Sequence, residues 1–150
     1  MRTKPGVTKI LFVCHGNICR SPMAEYIMRD MVKRAGLEGR VEVASAATSF
    51  EEQGRPVYPP VRRMLTARGL DCSAHRARRI VPEDIEKYDM LIGMDRANVA
   101  AMGRMFGSSD KISMLLGTAE VADPWYTDDF EAARRDVLRG CRDLLGRLEK

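Results

Sequence analysis

Apolar positions along the chain follow two patterns, one typical of buried strands and the other of amphipathic helices. Residues 9–14 read Lys-Ile-Leu-Phe-Val-Cys, and a nearly continuous apolar run of this length predicts a strand buried on both faces. Apolar positions at helical spacing follow Pro22, with Ser21 as the expected N-cap and Gly36 as the expected stop. Similar patterns predict further strands at 40–46, 90–94 and 112–116, and further helices at 61–68, 82–88, 96–106 and 130–148.

Strands that alternate with helices predict an α/β fold with a mostly parallel sheet. The chain has 150 residues, which is the usual size of a single domain, and we expect one domain over residues 1–150 with helices on both faces of the sheet. Ligands of such sheets bind at the carboxyl ends of the strands. This rule selects the loops at 14–21, 45–59 and 117–128, together with the turn at Asp95.

Composition and charge exclude several classes of protein. The chain is 45% hydrophobic and 31% charged, which is too apolar for a disordered protein. The longest apolar run, Ile10 to Cys14, is far shorter than the roughly 18 residues of a membrane span. No export signal follows the basic first residues, so we expect a cytoplasmic protein with no membrane partner. A net charge of +4 without a nucleic-acid-binding motif predicts no nucleic-acid partner either.

The cysteine pattern predicts thiols and not disulfides or metal ligands. The four cysteines are irregularly spaced, no Cys-x-x-Cys occurs, and the two histidines lie 60 positions apart at His15 and His75. We therefore predict no metal and no cofactor. Cys72 and Cys141 are interpreted as structural thiols.

The loop at 14–21 reads Cys-His-Gly-Asn-Ile-Cys-Arg-Ser and connects a buried strand to the start of a helix. Successive backbone N–H groups in such a turn bind an anion, and Gly16 and Asn17 tolerate the left-handed backbone that the turn needs. Arg20 adds a bidentate fork that matches phosphate oxygens. The helix dipole and Arg20 favour the thiolate form of Cys14.

A thiolate below an anion-binding loop predicts nucleophilic attack on a bound phosphoryl group. The alternative is that Cys14 is only a small buried hydrophobic residue, because Cys-x5-Arg alone occurs by chance in many chains. The preceding strand, the Ser-Pro start of the helix and the Gly-Asn pair favour the chemical interpretation. The loop is not a Walker A motif, since Gly-Lys-Ser/Thr is missing.

The stretch Val13-Cys14-His15-Gly16-Asn17-Ile18-Cys19-Arg20-Ser21-Pro22 resembles the signature of the low-molecular-weight protein tyrosine phosphatases. The resemblance extends over most of the chain, and it includes Ser45-Ala46-Ala47-Thr48-Ser49, His75-Arg76-Ala77-Arg78, Met94-Asp95-Arg96-Ala97-Asn98 and Asp123-Pro124-Trp125-Tyr126. It implies a four-stranded parallel sheet flanked by helices, with the Cys-x5-Arg loop after the first strand. It also implies phosphotyrosine phosphatase activity on phosphorylated proteins or peptides, and an active site that binds phosphate or another oxyanion.

The resemblance assigns roles to individual residues. Cys14 is implied to be the nucleophile and Arg20 the residue that stabilises the transition state. Asp123 is implied to be the general acid, whereas Asp-Pro alone would indicate only a turn. Residues 15–19 and Ser21 complete the phosphate-binding loop, with Ser21 donating to the Cys14 sulfur. Asn17, Ser45 and His75 are implied to hold the loop in shape.

The remaining candidates concern the walls of the site. Trp125 and Tyr126 are expected to contact an aromatic substrate, with ordinary packing as the alternative. The resemblance places Phe50 on the opposite wall, and the Glu51-Glu52 pair is interpreted as a solvated face. His15 is not expected to act as a base for Cys14, because that position varies in the family.

Two further positions leave a question open: the role of Asp95, and the peptide specificity that depends on the region of Tyr58. Asp95 is either a turn residue or part of a network that orders the loop. Tyr58 stands in the region, near Pro56, where many relatives carry an acidic residue.

The sequence leaves three alternatives to tyrosine phosphatase activity: two other enzymes and a binding module. Protein-arginine phosphatases on the same fold usually carry Thr where this chain has Ile18, which favours aryl phosphate. A thioredoxin-coupled arsenate reductase needs two more redox cysteines, and residues 76–95 contain none. A phosphate-binding module without activity would not need Cys14, Arg20 and Asp123 together. Finally, Cys19 is expected to form a reversible disulfide with Cys14 after oxidation by peroxide.

Overall fold

A parallel sheet of four strands lies at the centre of the structure. The computed structural model describes residues 6–149, so the basic residues 1–5 considered above, and residue 150, lie outside the described range. The strands are β1 (Thr8–Cys14), β2 (Val41–Ala47), β3 (Met90–Gly93) and β4 (Ile112–Met114). Their spatial order is β2-β1-β3-β4, and each neighbouring pair is parallel. The predicted α/β fold with a four-stranded parallel sheet is confirmed.

Helices cover both faces of this sheet. They are α1 (Arg20–Arg34), α2 (Pro59–Ala67), α3 (Asp84–Lys87), α4 (Arg96–Phe106), α5 (Pro124–Thr127) and α6 (Phe130–Leu148). The position of β1 between β2 and β3 explains its apolar run. Successive side chains of a strand point to opposite faces, and both faces of this sheet are covered. Ile10, Phe12 and Cys14 pack in the larger core with α1, α2 and α6, whereas Leu11 and Val13 pack in a second core with Met102 of α4.

The carboxyl ends of the strands coincide at one edge. Cys14 at the end of β1 lies opposite Ala47 at the end of β2, and Val13 lies opposite Gly93 at the end of β3. The loops that follow these strands therefore meet at a common place. The backbone connects them directly, because the Thr48 N–H donates to the Cys14 carbonyl at 2.9 Å.

The start of α1 differs from the prediction. The helix begins at Arg20, and Cys19 occupies the N-cap position without a side-chain hydrogen bond, so the prediction of Ser21 as N-cap was wrong. The reason is that the Ser21 hydroxyl lies 3.0 Å from the Cys14 sulfur and accepts a hydrogen bond from Asn17 instead. The chain before α1 is thus organised around the sulfur and not around the helix end.

Further differences from the prediction concern β4 and the loop that follows it. Strand β4 ends at Met114 instead of residue 116, because the chain turns there and the Gly117 N–H donates to the Met114 carbonyl at 3.1 Å. The loop predicted at 117–128 contains the short helix α5, for which Asp123 is the N-cap and Pro124 the first residue.

One close approach fixes the position of α6 near β4. A Cβ atom built on Gly140 of α6 would lie 2.4 Å from Cγ of Leu115. Gly140 therefore allows the helix backbone to reach a buried leucine. Within residues 6–149, no helix is both long and apolar enough to cross a membrane.

Candidate active site

A cavity of about 660 Å³ opens at the carboxyl ends of the strands. Four segments of the chain line it, and all four were selected from the sequence as loops or turns at this edge. The lining residues are Cys14, His15, Gly16, Ile18, Cys19, Arg20, Thr48, Ser49, Glu51, Glu52, Asp95, Ala97, Asn98, Ala101, Arg104, Asp123, Trp125 and Tyr126. The cavity thus brings together Cys14, Arg20 and Asp123, which are up to 109 positions apart in the sequence.

Hydrogen-bond donors surround the sulfur of Cys14. The residue as a whole is only 3% exposed. The backbone N–H groups of Asn17 and Ser21 donate to Sγ at 3.3 and 3.4 Å. The Ser21 hydroxyl lies 3.0 Å from the same atom. Converging N–H groups at the start of a helix stabilise negative charge, so this environment suits a thiolate.

Asn17 determines the shape of the loop. Its backbone is left-handed, with φ of 60°, and its side chain is fully buried. Its Nδ2 atom donates to the hydroxyls of Ser21 and Ser45 at 2.8 and 2.9 Å, and its Oδ1 accepts from the Arg78 N–H at 3.2 Å. The His75 Nε2 atom lies 2.8 Å from the Asn17 carbonyl oxygen. The structure therefore brings Asn17, Ser21, Ser45 and His75 into one hydrogen-bonded network.

Glu25 extends this network, and the sequence analysis did not identify it. The side chain is 4% exposed and accepts a hydrogen bond from the Ser45 hydroxyl at 2.5 Å. The His75 Nδ1 atom lies 3.9 Å from Glu25 Oε1, and Arg29 pairs with Oε2 at 2.5 Å. The sequence contained a signal for this role, because Glu25 lies one helical turn after Ser21 and so shares its face of α1. Buried carboxylates occur almost only when they are paired.

Arg20 is held by groups from two other segments. Its Nη1 atom donates to Asp95 Oδ2 at 2.9 Å and to the Val121 carbonyl at 3.0 Å. Its Nη2 atom donates to Asp123 Oδ2 at 3.3 Å. Burial alone would lower the pKa of Arg20, but the charges of Cys14, Asp123 and Asp95 outweigh burial and raise the pKa. The guanidinium is thus a permanent, oriented positive charge beside the sulfur.

Asp95 fulfils both roles that the sequence left open. Its Oδ1 atom accepts a hydrogen bond from the Asn98 N–H at 2.9 Å, which caps α4, while Oδ2 accepts from Arg20. The Asn98 side chain returns a hydrogen bond by accepting from the Asp95 N–H at 3.1 Å. This reciprocal capping box fixes the carboxylate that orients Arg20.

Asp123 faces the cavity at the start of α5. Its Oδ1 atom accepts from the Trp125 N–H at 3.1 Å, and its Oδ2 atom accepts from Arg20. Trp125 and Tyr126 also line the cavity and are 54% and 84% exposed. One side of the site is therefore aromatic and open to solvent.

Phe50 is not among the residues that line the cavity. It is 66% exposed, and the guanidinium carbon of Arg79 lies 4.7 Å from the centre of its ring. The neighbouring Glu51 lines the cavity instead, and its Oε2 atom lies 2.8 Å from His15 Nε2. Glu51 and His15 thus add polar groups to the cavity lining, which the sequence analysis did not identify. The same contact engages the His15 ring with Glu51.

The other thiols differ in their relation to the site. Cys19 lines the cavity, and burial, followed by the nearby charges of Cys14 and Asp123, raises the pKa of its thiol to about 12. Cys72 and Cys141 are buried outside the cavity lining, and burial raises the pKa of Cys141 to about 12. All four cysteines are free thiols.

The arrangement meets the requirements of phosphoryl transfer. It combines a sulfur nucleophile, converging N–H groups, a guanidinium fork and a carboxyl group around one cavity.

Comparison with known proteins gives consistent results for sequence and structure. A profile of the family described as "Low molecular weight phosphotyrosine protein phosphatase" matches residues 9–150. The low molecular weight protein-tyrosine-phosphatase YfkJ of Bacillus subtilis is 36% identical over 149 residues, which cover 94% of this chain and 96% of that protein. The human low molecular weight phosphotyrosine protein phosphatase is 34% identical over 151 residues, or 91% and 92% of the two chains.

Solved structures extend the comparison. The crystal structure of YfkJ is similar to this chain with a TM-score of 0.93 and 34% identity, and the match covers 98% of each chain. The crystal structure of DARP, described as a Drosophila arginine phosphatase, matches with a TM-score of 0.87 and 29% identity, covering 95% of this chain and 99% of that one.

Proposed function

The chain belongs to the low molecular weight phosphotyrosine protein phosphatase family, and on that premise we propose that Cys14, Arg20 and Asp123 perform its reaction. The enzyme is a protein-tyrosine phosphatase, a hydrolase of phosphoric monoesters. The observation that supports the residue assignment best is the environment of Cys14. Two backbone N–H groups converge on its sulfur, and Arg20 and Asp123 line the same cavity.

The first step transfers the phosphoryl group to the enzyme. The Cys14 thiolate attacks phosphorus, so that an S–P bond forms while the bond from phosphorus to the tyrosine oxygen breaks. The loop N–H groups and the fork of Arg20 bind the three non-bridging oxygens. Asp123 donates its proton to the leaving phenolate. The proximity of Asp123 Oδ2 to Arg20 Nη2, 3.3 Å, supports the placement of the acid beside the phosphoryl group.

The second step regenerates the free enzyme. Asp123, now a carboxylate, accepts a proton from water while the water oxygen attacks phosphorus of the phosphocysteine. The S–P bond breaks, inorganic phosphate is released and the thiolate is restored. The same carboxyl group thus acts first as an acid and then as a base.

The side chains of the remaining loop residues support this chemistry without forming or breaking covalent bonds. Ser21 stabilises the thiolate through its 3.0 Å contact with the sulfur. Asn17, Ser45 and His75 keep the loop in the shape that points its N–H groups at the phosphoryl group. His15, Gly16, Ile18 and Cys19 contribute to the inner surface of the cavity.

The walls of the cavity accommodate the substrate ring. Trp125 and Tyr126 provide an aromatic face for phosphotyrosine, and Glu51 with His15 adds polar groups to the lining. Phe50 adjoins the lining residues Ser49 and Glu51 and is exposed, so it is available to contact the peptide that flanks the phosphotyrosine.

Arginine phosphate is the second candidate substrate. It is favoured by the similarity to the Drosophila arginine phosphatase, whose structure matches most of this chain. Ile18 favours aryl phosphate, because it presents an apolar side chain to the cavity where the related arginine phosphatases usually carry Thr. Initial rates with matched phosphotyrosine and phosphoarginine peptides distinguish the two. Arsenate reduction is disfavoured by the absence of cysteine from residues 76–95.

We also propose that Cys19 protects the nucleophile from irreversible oxidation. Peroxide oxidises the Cys14 thiolate to a sulfenic acid and is itself reduced to hydroxide. The Cys19 thiol then attacks the sulfenic sulfur, and a disulfide and water form. The placement of both thiols at one cavity supports this step, and four free cysteines are typical of a reducing compartment such as the cytoplasm.

A trapped intermediate tests the proposed reaction. Rapid acid-free quenching during turnover of an aryl phosphate, followed by mass spectrometry, should find a phosphoryl group on Cys14. The Cys14→Ser variant should keep its fold and its affinity for phosphate but lose turnover. Appreciable turnover by Cys14→Ser would exclude the phosphocysteine route.

A further inference from the structure

An aromatic contact joins the segment that carries Asp123 to the loop before α2. The ring of Tyr58 lies 5.1 Å from the ring of Trp125, measured between centroids, at a tilt of 57°. The same ring stacks on Phe130, with centroids 6.0 Å apart and planes inclined by 27°. Trp125 follows Asp123 by two residues, and Phe130 begins α6. The ring of Tyr58 therefore contacts the segment at 123–130 at two aromatic residues, Trp125 and Phe130.

The backbone of the same residue is attached to the phosphate-binding loop. The Tyr58 N–H donates to the Ile18 carbonyl at 2.9 Å. Tyr58 is also the N-cap of α2, whose first turn closes when the Arg62 N–H donates to the Tyr58 carbonyl at 2.9 Å. Tyr58 thus has a main chain fixed against the loop that holds Cys14 and a ring fixed against the segment that holds Asp123.

Two other contacts join Asp123 and the chain just before it to other parts of the fold. Asp123 Oδ2 contacts Arg20, which must also bind the phosphoryl oxygens in the proposed function. Before the segment, the Val121 N–H donates to the Met94 carbonyl at 2.9 Å and anchors the entry of the chain. The contact between Tyr58 and Trp125 uses neither the phosphate nor the leaving group. It can persist while Arg20 turns from Asp123 to the substrate.

We propose that Tyr58 is a positioning residue that sets the distance between Asp123 and the leaving oxygen by holding Trp125 against the phosphate-binding loop. This inference rests on the proposed function, in which Asp123 protonates the leaving phenolate. Proton transfer requires hydrogen-bond reach, and small displacements of a catalytic group reduce its contribution strongly. The aromatic ring, and not the hydroxyl, makes the contacts with Trp125 and Phe130.

The test compares Tyr58→Leu and Tyr58→Phe with wild type on a series of aryl phosphates whose phenols range in acidity from phenol to 4-nitrophenol. The parameter is kcat/KM, because it reports the steps up to departure of the phenol. For phenyl phosphate, Tyr58→Leu should lose about tenfold, a part of the roughly 10²–10⁴-fold that general acid catalysis contributes. The loss should shrink as the phenol becomes more acidic. Tyr58→Phe should stay within about twofold of wild type across the series.

Two reference variants separate positioning from general damage. Phe106→Leu removes a partly buried aromatic ring from the second core, and it should affect all substrates equally. In the Asp123→Ala background, Tyr58→Leu should cause no further dependence on the leaving group, because the two residues act through the same proton. The inhibition constant for inorganic phosphate should be unchanged in Tyr58→Leu, which shows that the phosphate-binding loop is intact.

Fluorescence provides a readout that does not depend on activity. Trp125 is the only tryptophan of the chain, so its emission reports directly on the environment beside Tyr58. Acrylamide should quench this emission more efficiently in Tyr58→Leu than in wild type or Tyr58→Phe. If Tyr58→Leu folds poorly, Phe130→Leu serves instead. It removes the ring that packs on Tyr58 and should give the same leaving-group pattern.

The outcomes are distinct. A loss in Tyr58→Leu that is equal for all leaving groups, or no loss, overturns the positioning role while Asp123→Ala still shows a leaving-group dependence. If Asp123→Ala itself shows no such dependence, the proposed role of Asp123 fails and the role of Tyr58 fails with it.

Discussion

The Ser21 hydroxyl oxygen lies 3.0 Å from the Cys14 sulfur, although sequence position made Ser21 the expected cap of α1. The same oxygen accepts a hydrogen bond from Asn17 Nδ2 at 2.8 Å. The hydroxyl hydrogen has two acceptors within reach, the sulfur at 3.0 Å and the more distant Ala46 carbonyl at 3.5 Å. The Ser21 side chain therefore contacts the nucleophile and does not cap α1.

Replacement of Ser21 by Ala should slow the reactions of the Cys14 sulfur, because it removes the hydroxyl 3.0 Å from that atom. A hydrogen bond to a charged group contributes about 1.5–3 kcal/mol, and its loss corresponds to a factor of about ten or more. We expect the rate of inactivation by iodoacetate at pH 6 to fall by about tenfold, together with kcat. Ser113→Ala, which removes an exposed hydroxyl from β4, should leave both rates unchanged. Equal rates in Ser21→Ala and wild type would exclude this role of the hydroxyl.

Arg20 should not be replaceable by Lys. The guanidinium contacts Asp95, Val121 and Asp123 at the same time, and an ammonium group cannot reproduce this planar arrangement. We expect kcat/KM for 4-nitrophenyl phosphate to fall by about 10²–10³-fold, the usual effect of losing an oxyanion donor. The inhibition constant for phosphate should rise as well. Arg63→Lys on the exposed face of α2 serves as the control, and near-wild-type activity of Arg20→Lys would contradict the bidentate role.

Asp123→Ala should reduce kcat/KM in a manner that depends on the leaving group. General acid catalysis contributes roughly 10²–10⁴-fold, and it matters most for a phenolate that leaves poorly. The loss should therefore be largest for phenyl phosphate and smallest for phenols acidic enough to leave without a proton. Measurement of kcat/KM across the series gives the dependence. A uniform loss would assign Asp123 to orientation of Arg20 alone.

Cys19 should govern recovery from oxidation. Because the pKa of Cys19 is raised to about 12, its thiol stays protonated at pH 8, and iodoacetamide should label Cys14 in preference to Cys19. After exposure to peroxide and then dithiothreitol, wild type should regain most of its activity and Cys19→Ser should regain less. Cys72→Ser, which alters a buried thiol outside the cavity lining, should recover like wild type. Equal recovery of Cys19→Ser and wild type would show that Cys19 gives no protection.

Gly140→Ala should destabilise the fold. The added Cβ atom would lie 2.4 Å from Leu115 Cγ, and overpacking of this kind costs about 1–3 kcal/mol of the free energy of unfolding. Gly146→Ala lies in the same helix with no atom within 4 Å of the added Cβ, so it should stabilise by up to about 1 kcal/mol through helix propensity. Urea denaturation measures both changes. A Gly140→Ala variant as stable as Gly146→Ala would contradict the close approach of α6 and Leu115.

Regular elements were predictable because their periodicity is local. Helix α4 matches the predicted residues Arg96–Phe106, and strands β1 and β2 differ from their predictions by only one residue at their ends. The motif around Cys14 located the cavity, since parallel strands bring their carboxyl ends to one edge.

Contacts between distant segments were not predictable in the same way. The choice between Phe50 and Glu51 for the cavity wall depends on the course of an irregular loop, where no period assigns side chains to faces. The burial of Glu25 depends on partners at Ser45 and His75, which only the folded chain brings near. The ring of Tyr58 is likewise held by residues more than 60 positions away.

The hydrogen bonds of Asn17 bear on the thermodynamics of anion binding. Its N–H, its carbonyl and both atoms of its side-chain amide are engaged by five different residues before any substrate is present. The conformational entropy of a left-handed residue is therefore lost once, during folding, and not again in each catalytic cycle. A ligand as small as inorganic phosphate makes few contacts and could not compensate for ordering a flexible loop. Binding to a rigid loop leaves most of its interaction energy available as affinity.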